Sequence, residues 1–440
     1  MDYDIFICFK GKMIMEKILI KGIGEAVYYD ECDNGLKIYV WENHRVNSFM
    51  GSLTVLVGSE DVEYEINHQK KKVPYGTAHY LEHILCKNND GTSLLKDFRK
   101  IGSYSNASTY GYRTSFEFIG TNNIKENIDL LLDSLYNKRF YNKPFEDERG
   151  PILEEARMYL DNPNRVLNLK VNESLFHSYP NRTSGVGTID DINNISVKDV
   201  KKLYKDFYHP ENSFIVITGN VNAEEVIKFI KDNQKNKVFD VYKKPHNKDY
   251  NEPDEIVSTY MSVKTNVELP EIILSLKIPK KKFADLQVYE VYCILGATLS
   301  SNFGATSKFR DELVNKKLMT SLFSQYYIER DYWLIQLICK TKYPEEMIKI
   351  LTNKLNNLEF DEADINRKKK SKIANVIMSY EDIENVNNYL SYSISKLGYF
   401  CVNEKEILDN LNIAKIKSVF SMIDFNNTST VLALPKKGKH

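Results

Sequence analysis

The sequence contains no apolar run approaching the roughly 20 residues needed to cross a bilayer as a helix, which excludes an integral helical membrane protein. Neither sign of charge is in excess. Lys plus Arg and Asp plus Glu number 60 each, so no global field draws the chain to nucleic acid or acidic lipid. Its basic clusters, Lys70–Lys72, Lys280–Lys282 and Arg367–Lys370, never exceed four residues and read as solvated faces. Cysteine is sparse: residues 8, 32, 86, 293, 339 and 401 form no CxxC pair, which excludes a disulfide framework and a cysteine zinc site. A reducing compartment follows. A standard export signal is also missing, because acids precede the short apolar run Ile5–Phe9, Lys10 and Lys12 follow it, and no small-residue cleavage site appears. A cytoplasmic location is therefore expected.

What is present is the composition of a folded globular protein, 42% apolar and 27% charged, in a chain of 440 residues that is too long for one core and suggests two domains of roughly 200 residues. Short apolar runs predict strands over Leu36–Trp41, Ser52–Gly58 and Ser213–Gly219, and a hairpin over Ser103–Gly120 bending near Tyr110. Helical periodicity marks two helices from Gly76 to Ile101, then Lys125–Tyr136, Phe145–Asp161, Val166–Phe176, Ser196–Phe207 and Ala223–Asn233. Residues 238–253, rich in Lys, Asn and Pro, form the best linker, so the domains are read as 1–237 and 254–440. Beyond the linker a similar plan loosely recurs: strand Ile272–Ile278, helices Asp285–Leu299 and Thr306–Val314, two strands over Ser321–Lys340, and helices Pro344–Leu358, Ala363–Glu384 and Val386–Leu397. Strands clustered in hairpins and helices in separate runs favour an α+β fold of two related domains, each a mainly antiparallel sheet packed with helices.

The chemistry concentrates at His79-Tyr80-Leu81-Glu82-His83. Residues four apart share a helix face, so both imidazoles can reach one tetrahedral ion while Glu82 flanks them; this is the H-x-x-E-H arrangement of inverted zinc peptidases. A catalytic site needs a third protein ligand and an open position for water. The helix Phe145–Asp161 offers Glu146, Glu148, Glu154 and Glu155. Glu148 and Glu155, two turns apart, share a face, so either can be the third ligand while the other orients a ligating histidine. The remaining histidines, at 44, 68, 177, 209, 246 and 440, have no such companions.

With Gly76–His83, Asn106-Ala107-Ser108-Thr109, Glu148–Glu155, Tyr208–Asn212 and Ile217–Val221 occurring in that order, the chain resembles the pitrilysin and insulinase family of metallopeptidases. The resemblance implies Zn2+ as cofactor, His79, His83 and Glu155 as its ligands, Glu82 as general base and Glu148 as the supporting acid. It further implies that an extended peptide adds as a strand along Asn106, Ala107 and Ser108. One departure stands out. Family members that work alone carry an Arg and a Tyr seven residues apart in the second half, whereas Arg310–Thr320 holds no such pair, with Tyr326, Tyr327 and Arg330 as possible substitutes. A related partner subunit in a homo- or heterodimer would supply the missing groups.

These features predict a zinc endopeptidase acting on flexible peptides, with removal of a leader segment from a ribosomally made peptide as one specialisation. The alternative is a binding or scaffold subunit that retains zinc but depends on another chain for activity.

Overall fold

The structure is a computed structural model that describes residues 15–136 and 138–436; the run Ile5–Phe9, Cys8 and His440 lie outside the described residues. Its contacts divide the chain into two units: the first comprises the segments up to Ala156, Thr183–Asp249 and Ile377–Val402, and the second Arg157–Arg182, Tyr250–Val376 and the segment from Asn403.

In the first unit the strands are β1 (Glu16–Ile20), β2 (Glu25–Glu31), β3 (Lys37–Glu42), β4 (Phe49–Val55), β5 (Glu63–Ile66), β6 (Gln69–Lys72), β7 (Tyr104–Thr109), β8 (Thr114–Gly120), β9 (Ser213–Gly219) and β10 (His246–Asn247). Seven of them form one sheet in the order β1-β2-β3-β9-β4-β8-β7, antiparallel except where β3 runs parallel to β9. β4 and β9, at its centre, are buried at every residue, which is why neither shows an alternation of apolar and exposed polar positions. β5 and β6 turn through Asn67 and His68, both at positive φ (50° and 61°), as a two-residue hairpin of this type requires.

One face of the sheet is covered by the helix Ile383–Leu397, whose Val386, Leu390 and Ile394 pack with Trp41, Met50, Phe214 and Val216. A buried polar cluster fixes its register: Ser52 donates to Asn387 Oδ1 at 2.6 Å, and Asn387 Nδ2 donates to the Val216 carbonyl at 3.2 Å. Such a network stabilises only when its members are satisfied together, and it specifies one docking position for the helix.

The second unit holds β11 (Tyr260–Thr265), β12 (Glu271–Pro279), β13 (Ser321–Glu329), β14 (Tyr332–Lys340) and β15 (Thr428–Pro435), in the order β11-β15-β12-β14-β13. Its core joins Ile273, Leu334 and Val431 of the sheet to Leu167, Val171 and Leu175 of the helix Pro163–Leu175. The fold is thus α+β, with two mainly antiparallel sheets each packed by helices.

The single division at 238–253, with domains 1–237 and 254–440, is corrected in two respects. Residues 157–182 belong with the second unit and 377–402 with the first. An amphipathic helix buries its stripe against whichever sheet presents an open apolar face, and position along the chain does not dictate which. The segment 238–253 is also tethered: His246 and Asn247 pair with Glu65 and Tyr64 of β5, and Glu252 accepts the backbone N–H groups of His177 and Ser178. The helix expected over Ala363–Glu384 ends at Ser379, because the Asp382 side chain accepts the N–H groups of Glu384 and Asn385 and caps a new helix.

Candidate metal centre

The helix Thr77–Leu85 begins at Gly76, which adopts φ 82°; a Cβ there would lie 2.3 Å from the Val186 carbonyl oxygen, so only glycine lets the helix start against this loop. All of its residues except His83 are buried. The acidic helix runs Asn142–Asp161 and docks on it through Tyr80. That ring stacks on Phe145 at 4.5 Å, and its hydroxyl donates to the Phe145 carbonyl at 2.7 Å.

This docking brings three donors together. Glu155 Oε2 lies 3.5 Å from His79 Nε2 and 3.4 Å from His83 Nε2. Short charge-assisted N–H···O bonds are about 2.7–2.9 Å long, so these contacts are longer than that type. They match a different geometry, since four donors at about 2.0–2.1 Å around a tetrahedral zinc are separated by about 3.3–3.4 Å. Among the described residues, His79, His83 and Glu155 are the only group of three or more His, Cys, Asp or Glu side chains placed to share an ion. Two imidazoles and one carboxylate form a donor set of catalytic rather than structural type.

The surroundings are polar and organised. Glu148, buried, places Oε2 3.2 Å from His83 Nδ1 and Oε1 2.7 Å from Lys87 Nζ. Burial works against the Glu148 carboxylate, but the bonds to His83 and Lys87 prevail and hold its pKa below the ordinary range. Burial likewise opposes charge on His83, yet the hydrogen bonds to Glu148 and Glu155 push it up to about 9. Glu82, also buried, accepts a 2.6 Å hydrogen bond from Thr109 Oγ1. Thr109 closes β7, which ends the sheet and, among the described residues, has β8 as its only strand neighbour. Asn106, Ala107 and Ser108 lie on this edge strand, with Asn106 exposed.

Helix spacing alone left open which of Glu148 and Glu155 faces the rings' Nε2 atoms, and the family resemblance pointed to Glu155; here Glu155 faces them, while Glu148 reaches the Nδ1 of His83. It passed over Lys87 and Thr109. Each had a signal: Lys87 falls four residues beyond His83, and Thr109 falls two beyond Ala107 on a strand, hence on the same face. The candidates for the missing Arg/Tyr pair are engaged within the second unit. Arg330 lies over Tyr179 at 5.3 Å, Tyr326 packs on Tyr292 at 5.9 Å, and Tyr327 joins the core beneath Pro163–Leu175, while Arg310, which opens the stretch without the pair, donates to the Leu322 carbonyl at 2.8 Å.

Comparison with known proteins finds two adjoining matches. Residues 66–188 match the family model described as insulinase (peptidase family M16), and residues 194–372 match the peptidase M16 inactive domain. The uncharacterized zinc protease YmfH of Bacillus subtilis (strain 168) is 26% identical over 416 residues, covering 92% of this chain and 96% of YmfH. The zinc protease PqqE of Helicobacter pylori (strain ATCC 700392 / 26695) is 26% identical over 344 residues, covering 74% of this chain and 76% of PqqE. In fold, the chain is similar to the crystal structure of an M16-like peptidase from Alicyclobacillus acidocaldarius, with TM-score 0.87 and 21% identity over 95% of this chain and 100% of the other.

Proposed function

This chain belongs to the insulinase (M16) peptidase family, and from that premise we propose that it is a zinc-dependent endopeptidase in which His79, His83 and Glu155 hold the metal and Glu82 is the general base. The observation that carries the proposal is the convergence of three donors within 4.8 Å of one another, the two imidazole Nε2 atoms 3.5 and 3.4 Å from one carboxylate oxygen, with the non-ligand acid Glu82 next to His83 in the chain.

A zinc ion there would supply Lewis acidity, polarising a peptide carbonyl and bringing the pKa of a coordinated water to about 7. The chain's own residues do the rest. Glu82 takes the proton of the attacking water on one carboxylate oxygen and delivers it to the departing amine. Its other oxygen is steadied by Thr109 Oγ1, which keeps the base from turning away. Glu148 accepts from His83 Nδ1–H, leaving the Nε2 lone pair for the metal. The open edge of β7 along Asn106, Ala107 and Ser108 offers main-chain groups to a substrate that must be extended to pair with it, so flexible peptides are the substrate class and leader-peptide removal is a fitting specialisation. Among the described residues no helix is long and apolar enough to cross a membrane. We place the protein in the cytoplasm on its scattered cysteines, of which the five described ones form no disulfide.

A second reading is favoured by one observation: Arg310–Thr320 lacks the expected Arg/Tyr pair, and the second half matches a domain described as inactive. On this reading the chain binds zinc and peptide but turns over only with a related partner. One experiment separates the two. The isolated chain, stripped by chelator, is expected not to cleave quenched fluorescent peptides, and one equivalent of zinc should restore cleavage. Full zinc loading without turnover would favour the partner-dependent reading, and absence of zinc binding would remove both.

A further inference from the structure

The stripe that His79 and His83 begin on the helix Thr77–Leu85 continues four residues on, at Lys87, in the turn that follows the helix. Opposite this stripe stand Glu155 and Glu148, two turns apart on Asn142–Asp161. The two rows interleave. Glu155 Oε2 faces the Nε2 atoms of both histidines, Glu148 Oε2 lies 3.2 Å from His83 Nδ1, and Glu148 Oε1 lies 2.7 Å from Lys87 Nζ. Glu148 is therefore held at each oxygen by a different partner.

We propose that Lys87 is a positioning residue of the metal centre: by fixing one oxygen of Glu148 it keeps the other on His83 Nδ1, and so holds the His83 ring with Nε2 directed at the ion. This rests on the zinc reading above and extends it outward by one residue. Two features distinguish Lys87 from an ordinary surface ion pair, which contributes little. Its partner is a buried carboxylate, which without the ammonium is free to rotate away from the ring or to recruit another donor. Its backbone is anchored on three sides: the N–H donates to the Ile84 carbonyl at 3.2 Å, the residue bridges to Ser93, and its carbonyl accepts from Lys138 Nζ. The ammonium thus approaches Glu148 from a fixed base, as a preorganised outer partner must.

The test is zinc affinity in chelator-buffered solution. Lys87→Met keeps the aliphatic stem and is expected to weaken zinc binding by about tenfold, at the lower end of the 10–100-fold range for outer partners of a ligating histidine. Lys87→Arg should stay within about threefold of wild type, because the guanidinium still reaches the carboxylate. In a Glu148→Gln background, Lys87→Met should have no further effect, since the group through which it acts has changed. Apo melting temperatures show whether any loss reflects the fold, and Lys87→Gln carries the same comparison if the Met variant does not fold. Zinc affinity unchanged in Lys87→Met, or lowered equally with and without the Glu148 carboxylate, overturns the positioning role while leaving the metal site standing. A wild-type chain that binds no zinc overturns the site itself, and the role of Lys87 with it.

Discussion

Replacing Glu82 with Gln is expected to lower peptide turnover by the zinc-loaded chain by about 10²–10⁴-fold, the range general acid–base catalysis contributes, while zinc affinity stays within a few-fold of wild type. Gln is nearly isosteric and its Oε1 can still accept the hydrogen bond that Thr109 Oγ1 gives to Glu82 at 2.6 Å, so the local packing survives. It cannot carry a proton from water to a leaving amine. The separation of the two readouts is the informative part, because Glu82 adjoins His83 and lies three residues from His79 on one helix, so a general disturbance of the helix would reduce metal binding as well. Single-turnover cleavage of a fluorogenic peptide, with zinc content measured on the same samples, checks the prediction. Turnover within tenfold of wild type would remove Glu82 from the chemistry.

The largest expected effect on stability lies in the second unit, at Lys277 on β12. Its side chain is 0% exposed and that of its partner Glu252 is 1% exposed, with Nζ and Oε1 2.8 Å apart. The ammonium also donates to the carbonyls of Leu175 at 3.0 Å and Pro253 at 2.7 Å, and sits 4.3 Å over the Tyr332 ring. Lys277→Met leaves a buried carboxylate without its counter-charge and strands these carbonyls, and losing one member of such a pair costs about 3–5 kcal/mol. Adding Glu252→Gln to Lys277→Met should recover part of this loss, because an uncompensated charge is then no longer buried. Denaturant unfolding followed through Trp333 fluorescence in a Trp41→Phe background reads the second unit selectively, since these are the chain's two tryptophans. A loss below about 1 kcal/mol would mean that Glu252 reaches solvent or a new donor.

The pair also has a pH consequence. Burial opposes the Glu252 carboxylate, but the bonds from Lys277, His177 and Ser178 prevail and lower its pKa. A carboxyl whose folded value is depressed contributes stability that is fully present above its unfolded value of about 4.3 and is lost as pH falls through the folded one. The advantage of the wild type over Lys277→Met should therefore shrink on acidification below about pH 4.

Much of this architecture was legible because its signals are local. β9 coincides with the expected Ser213–Gly219, since a continuous apolar run set between Asn212 and Gly219 has no other good reading. The hairpin and the helix Thr77–Leu85 were likewise found from local signals. β1, β2, β5, β6, β10, β11 and β15 were missed: β1 and β11 alternate half-buried and exposed positions over only five or six residues, and the place of β11 in a sheet is settled by a partner far away in sequence, since it runs parallel to β15. The exchanged helices Pro163–Leu175 and Ile383–Leu397 show the same limit, because an apolar stripe announces that a helix is covered without naming the sheet that covers it. At the site, spacing put Glu148 and Glu155 on one face, and only the docking of Tyr80 on Phe145 decides which carboxylate meets which ring nitrogen. Lys87 and Thr109 act through Glu148 and Glu82, and such indirect contacts have no pattern of their own in a sequence.

The shared ion is the claim on which the function depends, and zinc content measured by equilibrium dialysis against buffered free zinc tests it most directly. The wild type should bind about one zinc per chain, and Glu155→Ala should weaken binding by more than about 100-fold, beyond the 10–100-fold typical of an outer partner. Glu155→Ala binding zinc as tightly as the wild type would contradict the account, because the carboxylate 3.4 Å from His83 Nε2 would then be a neighbour of the metal site and not part of it.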